Sequence, residues 1–195
     1  MSKVAIVIDS SAYIPPDILK QHLITVVPLQ VIWGTESMRD GFDITPQAFY
    51  TRLKTSKVLP TTSQPSPADF AKVYTRLTDE GYDVLSLHIS GKLSGTMDSA
   101  IQARNQLSDR SIEVVDTLSA AMGLGVIGLQ CARAAEQGAG LRECKALAVR
   151  AIPQVGALFA VSTLEFLHRG GRIGGAAAFL GTTLNLKPVL QLNDG

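Results

Sequence analysis

Four short segments of the chain are rich in hydroxyl side chains, the donors that a carboxylate or phosphate needs. They lie at residues 9–11, 61–66, 90–96 and 116–119. Two of them lead directly into predicted helices, whose exposed N–H groups and positive dipole end form a ready anion site. Gly95 would also let a ligand approach the backbone closely. Ser and Thr often cap helices without binding a ligand, but two such segments after neighbouring strands favour an anion site.

The same segments contain no recognisable machinery for transforming a bound anion. The three histidines share no metal-ligand spacing, and His88, within an apolar strand, is interpreted as structural. Asp9 could be the nucleophile of a phosphatase, but the second carboxylate expected two residues later is replaced by Ser11. Ser94 would need a general base, and the sequence offers no obvious one. We therefore predict a binding protein with no metal and no cofactor. The alternative is a small phosphoryl-transfer or hydrolytic enzyme.

A further candidate is the segment around residues 166–173, in which two glycines separate Arg169 from Arg172. Two glycines in a row predict a tight turn that presents cations, and the planar guanidinium of arginine suits phosphate or partner contacts. A helix C-cap followed by solvated arginines explains the same residues. From the residues alone, both interpretations stay open.

The composition narrows the class of protein without choosing a function. The chain has 195 residues, is 46% hydrophobic and carries a formal net charge of +1. That charge gives no basic surface for nucleic acid, and the apolar fraction argues against disorder. No stretch approaches the ~20 apolar residues of a membrane-spanning helix, and the N-terminus does not resemble a signal peptide. We expect a cytoplasmic protein without stable membrane insertion. Cys131 and Cys144 are expected to be reduced packing residues.

Strand and helix patterns alternate along the chain and must position these segments. Apolar runs predict strands at residues 4–8, 24–33, 84–89, 112–115 and 159–162. Helical periodicity and capping residues predict helices that begin near residues 16, 46, 67, 97, 119 and 141. This alternation predicts an α/β fold with a mostly parallel sheet flanked by helices. Ligands of such sheets bind beyond the carboxyl ends of the strands, where the hydroxyl-rich segments begin.

Taken together, the motifs resemble those of the DegV family over essentially the whole chain. In chain order they are Asp9-Ser10-Ser11, Val27-Pro28-Leu29, Asp40-Gly41, Thr62-Ser63-Gln64-Pro65-Ser66, Leu93-Ser94-Gly95-Thr96, Val115-Asp116-Thr117, Gly170-Gly171-Arg172-Ile173 and Lys187-Pro188. DegV-like proteins are fatty-acid-binding proteins. Several are the lipid-presenting subunit of a bacterial fatty acid kinase, whose separate kinase subunit phosphorylates the bound carboxylate.

The resemblance implies a long-chain, palmitate-like fatty acid as ligand and a fatty acid kinase catalytic subunit as a possible partner. It implies that the hydroxyls of Thr62 and Ser94 hold the carboxylate, with the Gly95 amide as a further donor. It places Arg172 and Asp40 near the headgroup or the mouth that faces the kinase. The full set of expected ligand-binding residues is Thr62, Ser94, Gly95, Ser63, Asp9, Ser10, Arg172 and Asp40.

The resemblance also concerns domain organisation, because DegV proteins continue well past the length of this sequence. We expect residues 1–162 to form a DegV-like α/β domain and residues 163–195 to begin a second, incomplete α/β domain. Residues 187–192 are typical of a strand, and the Asp194-Gly195 turn signal after them has no returning strand. We therefore expect a chain truncated naturally or artificially. A remnant that has lost ligand binding is a third possibility.

Overall fold

Strands and helices alternate along most of the described chain, which comprises residues 3–180 and 187–195 of a computed structural model. The strands are β1 (Lys3–Asp9), β2 (Thr25–Val27), β3 (Gln30–Trp33), β4 (Glu36–Arg39), β5 (Thr61–Ser63), β6 (Tyr82–His88), β7 (Ile112–Asp116), β8 (Ala157–Ala160) and β9 (Val189–Leu192). The helices are α1 (Pro16–Gln21), α2 (Pro46–Thr55), α3 (Pro67–Asp79), α4 (Thr96–Gln106), α5 (Met122–Glu136), α6 (Leu141–Ala151) and α7 (Glu165–Arg169).

The central sheet has the strand order β2-β1-β6-β7, and every neighbouring pair is parallel. Alternate residues of β1 point to opposite faces, so Ile6 and Ile8 join one core cluster and Ala5 and Val7 the other. Helices α5 and α6 cover the first face, and α3 and α4 cover the second. The predicted α/β fold with a parallel sheet flanked by helices is confirmed.

The predicted single strand at residues 24–33 is wrong, because this stretch forms two strands in two sheets. Its first part, β2, pairs with β1 in the parallel sheet. After Pro28 and Leu29 the chain enters β3, the centre of an antiparallel sheet with the order β4-β3-β5. Proline has no N–H to donate to a ladder, which makes it a natural point for the chain to leave the sheet. The small sheet carries Thr62 on β5.

The strand expected at residues 159–162 also lies outside the parallel sheet. It is observed as β8, which pairs antiparallel with β9 in a two-stranded sheet. The strand predicted at residues 187–192 is observed as β9, and β8 is its partner. The ladder joins Ala157 to Leu192 and Ala160 to Val189. The division of the chain at residue 162 stays a prediction, and residues 181–186 of the second segment lie outside the described residues.

Both cysteines are buried between α5 and α6 and are free thiols. Burial raises the pKa of the Cys131 thiol to about 12, and the neighbouring Cys144 contributes to the shift. A thiol with so high a pKa holds almost no thiolate near neutral pH. Packing is therefore sufficient to account for these two residues.

Replacing Leu23 by glycine is expected to stabilise the protein by about 1 kcal/mol. The amide of Ile24 donates to the carbonyl of Leu19 at 3.1 Å, which closes the end of α1 and leaves Leu23 in the left-handed region at φ 48°. Its side chain is 75% exposed, so little burial is lost. Urea unfolding measures the change. Leu23→Ala keeps the backbone strain and is the control; equal stability of the two variants would contradict the explanation.

Candidate functional site

Three of the hydroxyl-rich segments, at residues 9–11, 90–96 and 116–119, lie at the carboxyl edge of the parallel sheet. Strand register places Ile8 of β1 opposite Leu87 of β6, and His88 of β6 opposite Asp116 of β7. The loops that leave these strands therefore begin side by side. The carbonyl of Ser119 accepts a hydrogen bond from the amide of Ser90 at 2.9 Å and ties two of the loops together.

The loop after β6 delivers Ser94 and Gly95 to the start of α4. The carbonyl of Ser90 accepts hydrogen bonds from the amides of Leu93 at 2.9 Å and Ser94 at 3.1 Å, which fixes a tight turn. Gly95 is the N-cap residue, and it has no side chain with which to cap the helix. The Ser94 hydroxyl lies 2.9 Å from the Thr96 hydroxyl and accepts from the Thr96 amide at 3.3 Å. A partly buried hydroxyl thus stands at the positive end of a helix, as an anion site requires.

The segment of residues 61–66 approaches this helix start through Gln64. A Cβ atom built on Gly95 would lie 3.2 Å from Nε2 of Gln64, so the glutamine amide packs directly over the glycine. Only a glycine at residue 95 allows this close contact without displacement. Beyond Gln64, Ser66 caps α3 and shares a capping box with Asp69, as its sequence predicts.

Strand alternation separates the two hydroxyl residues predicted on β5. Thr62 pairs with Val31 and Ser63 with Gln30 in the antiparallel ladder. Successive side chains of a strand point to opposite faces, so Thr62 and Ser63 do not share a face. Gln64 follows β5 directly and makes the contact with Gly95.

The third component is Arg172, which reaches the loop before α4. Its Nε donates to the carbonyl of Leu93 at 3.1 Å, and one terminal nitrogen donates to the carbonyl of Gly170 at 2.8 Å. Gly171 at φ 71° ends α7, and the amide of Arg172 donates to the carbonyl of Leu167. The segment is a helix C-cap, as one interpretation predicts, and it brings Arg172 to the residue before Ser94. A phosphate or partner contact of this arginine stays a prediction.

Asp9 lies behind these loops instead of facing them. It has no exposed surface, and its Oδ1 accepts from the amide and hydroxyl of Ser11. Its Oδ2 accepts from Nδ1 of His88 at 3.1 Å and from the amide of Ile89 at 2.9 Å. Burial alone would raise the pKa of Asp9, but the hydrogen bonds from His88, Ser11 and Ile89 lower it below its usual value.

Ser10 and Asp40 form a separate pair between the two sheets. The Ser10 hydroxyl donates to Oδ2 of Asp40 at 2.8 Å and accepts from the amide of Leu29 at 3.1 Å. Burial raises the pKa of Asp40, the hydrogen bond from Ser10 opposes this shift, and the charge of Asp9 adds to it. This pair stands where the chain passes from the parallel to the antiparallel sheet.

The geometry therefore sorts the predicted residues into two groups. Ser94, Gly95 and Arg172 lie at the start of α4, and the segment that carries Thr62 and Ser63 reaches it through Gln64. Asp9, Ser10 and Asp40 hold the loops and sheets together around it. Sequence reasoning missed Gln64 as a link between the segments; its position inside the motif between two hydroxyl groups was the available signal.

A hydrolytic role for Asp9 finds no support in this arrangement. A nucleophile must reach its substrate, and this carboxylate has no exposed surface. In residues 3–180 and 187–195, no three His, Cys, Asp or Glu side chains are grouped so that they could hold a metal ion. Within the same residues, no helix has the length and apolarity needed to cross a membrane.

Comparison with known proteins places the chain among close relatives. A DegV domain-containing protein of Streptomyces coelicolor is 41% identical over 193 residues, which are 98% of this chain and 68% of that protein. The structure of a DegV family protein from Thermus thermophilus, described for its fatty acid binding, is 45% identical with a TM-score of 0.90. It is covered over 68% of its length, and 98% of this chain is matched.

A second solved structure is a fatty acid (stearic acid)-binding protein from Eubacterium ventriosum. It is 30% identical, with a TM-score of 0.85, and the match covers 100% of this chain and 68% of that one. The family model described as "Uncharacterised protein, DegV family" matches residues 3–195. With that match over nearly the whole sequence, the chain belongs to the DegV family.

Proposed function

We propose that the protein binds a long-chain fatty acid and holds its carboxylate at the start of α4. The observation that carries this function is the contact of Gln64 with Gly95, which joins the Thr62 segment to the Ser94 hydroxyl at the first turn of the helix. Hydroxyl and amide donors at the positive end of a helix suit the two oxygen atoms of one carboxylate. Fatty acid binding by the related Thermus and Eubacterium proteins supports this choice of anion.

Within this site, Thr62 and Ser94 are the proposed hydroxyl donors and Gly95 is the proposed amide donor. Arg172 adds positive charge next to Ser94 while its Nε remains bound to the Leu93 carbonyl. Ser63 lies on the other face of β5 from Thr62 and is assigned a smaller contribution. Asp9, Ser10 and Asp40 act by positioning, since their side chains hydrogen-bond to other protein groups.

We further propose that the bound carboxylate is presented to the catalytic subunit of a cytoplasmic fatty acid kinase. Support for this comes from the family resemblance together with the placement of Arg172 at the loop of residues 90–96. Incubation of the loaded protein with such a kinase and ATP should give an acyl phosphate. Loaded protein that yields none would contradict the kinase role and leave ligand binding standing.

The binding function is tested by native mass spectrometry of the delipidated protein with palmitate or stearate. We expect one fatty acid per chain, recovered on denaturation and lipid extraction. The methyl ester of the same acid is the control, since it keeps the acyl chain but cannot offer an anion to the hydroxyl donors. Equal uptake of ester and acid would contradict a carboxylate site, and uptake of neither would contradict fatty acid binding.

A further inference from the structure

A buried series of hydrogen bonds runs through the core and ends at Asp9, behind the loops of the site. The Tyr74 hydroxyl donates to the Ser86 hydroxyl at 2.8 Å, and Oγ of Ser86 lies 2.7 Å from Nε2 of His88. Nδ1 of His88 lies 3.1 Å from Oδ2 of Asp9. All four side chains have no exposed surface. Residues 74, 86 and 88 reach one another because residues two apart on β6 share a face, which packs against α3.

The direction of every hydrogen bond in this series follows from the Asp9 carboxylate at one end of it. The Asp9 carboxylate can only accept, so Nδ1 of His88 must carry the proton. In the neutral ring Nε2 is then an acceptor, and the Ser86 hydroxyl donates to it while accepting from Tyr74. An imidazolium would donate from Nε2 as well and would leave the Ser86 proton without its acceptor. The neutral Nδ1–H form satisfies every member of the series.

The Asp9 carboxylate transmits this arrangement to two loops of the site. It accepts from the amide of Ser11, in the loop after β1, and from the amide of Ile89, directly before Ser90. The carbonyl of Ser90 in turn holds the amides of Leu93 and Ser94. One carboxylate therefore bonds both to the loop after β1 and to the residue that precedes the Ser90–Ser94 turn.

We propose that His88 is a positioning residue for ligand binding, which acts by donating its Nδ1–H to Asp9 and so fixing the Ser90–Ser94 turn. This role rests on the proposed function, because the affinity it controls is that for the fatty acid carboxylate. The donor to Asp9 and the acceptor for Ser86 sit on opposite sides of the ring. The two contacts can therefore be removed separately.

The test compares His88→Asn with His88→Gln in delipidated protein titrated with palmitate. The asparagine amide nitrogen can take the place of Nδ1 and keep a donor for Asp9, whereas the glutamine amide reaches the Nε2 position and leaves Asp9 without it. Both variants should be less stable than the parent. We expect His88→Asn to bind palmitate within about 3-fold of the parent and His88→Gln to bind it about 10-fold more weakly.

Ser86→Ala is the second control, because it breaks the series beyond His88 and leaves the donor to Asp9 in place. It should lose thermal stability but bind palmitate normally. If affinity follows the melting temperature across the three variants, and not the presence of the Asp9 donor, His88 has only a structural role. A parent protein that takes up no palmitate would instead contradict the proposed function.

Nitrogen NMR of the His88 ring in the parent protein reads the same arrangement without any ligand or variant. We expect the signature of a ring that carries a proton on Nδ1, facing Asp9. A proton on Nε2 alone would overturn the positioning role even if the variants fail to fold. The ring measurement and the palmitate titration therefore fail independently.

Discussion

Replacing Thr62 and Ser94 together by alanine is expected to weaken palmitate binding by about 100-fold to 10,000-fold. Each hydroxyl would donate a hydrogen bond to an ionised carboxylate, and such bonds contribute about 1.5–3 kcal/mol each. Calorimetric titration of the delipidated double variant measures the loss. Each single variant should lose about 10-fold or more.

Thr61→Ala is the matched control for this experiment. Thr61 is the same residue type on the same strand, but it lies next to Thr62 and so points to the opposite face. Its removal should leave the affinity for palmitate within about 2-fold and change stability by less than about 0.5 kcal/mol. If Thr61→Ala weakens binding as much as Thr62→Ala, the proposal that the Thr62 side of β5 faces the ligand is wrong.

Replacing Asp9 by asparagine is expected to cost about 3–5 kcal/mol of folding free energy, because several hydrogen bonds to a buried carboxylate are lost. The amide NH2 would meet groups that are themselves donors, namely the amide of Ser11, the ring of His88 and the amide of Ile89. At this chain length each kcal/mol lowers Tm by about 2–4 °C, so a fall of roughly 10 °C is expected in a thermal scan. Asp109→Asn, at an exposed position, should change Tm little.

The loss of stability caused by Asp9→Asn should also depend on pH. Because the pKa of Asp9 is lower in the folded protein than its usual 3.8, its ionisation stabilises the fold above that value. This contribution is lost as the pH falls through the lowered folded pKa. The stability difference between parent and Asp9→Asn should therefore be constant above about pH 5 and shrink below pH 4. A difference that does not change with pH would show that the carboxylate charge is not the stabilising feature.

The sequence predicts the elements well because capping and periodicity are local properties. Ser66 and Pro67 specify the start of α3, and the apolar runs at β1 and β6 specify buried strands. Membership of a sheet is not local. An apolar run at residues 24–33 is equally compatible with one strand or two, and only packing against β1 and β5 decides where it breaks.

The same limit explains which site residues could be predicted. Ser94 and Gly95 could be predicted because they are adjacent in sequence and directly precede a helix. Asp9 looks equally reactive in sequence, yet its chemistry depends on His88, 79 residues away, and on the amide of Ile89. No local pattern shows that this carboxylate is already fully engaged, and so its predicted ligand contact turns into a proposed positioning role.

The β8–β9 ladder has a consequence for the local concentration of positive charge at the site. It ties residue 157 to residue 192 and residue 160 to residue 189, so the intervening chain that bears Arg172 is tethered at both ends. A tether of this kind raises the effective concentration of the guanidinium around the Leu93 carbonyl. Alanine or proline substitutions in the ladder would lower the effective concentration of the Arg172 guanidinium at the site without changing the residue itself. Residues of β8 and β9 would thus influence the fraction of time that the Arg172 guanidinium spends beside the Leu93 carbonyl.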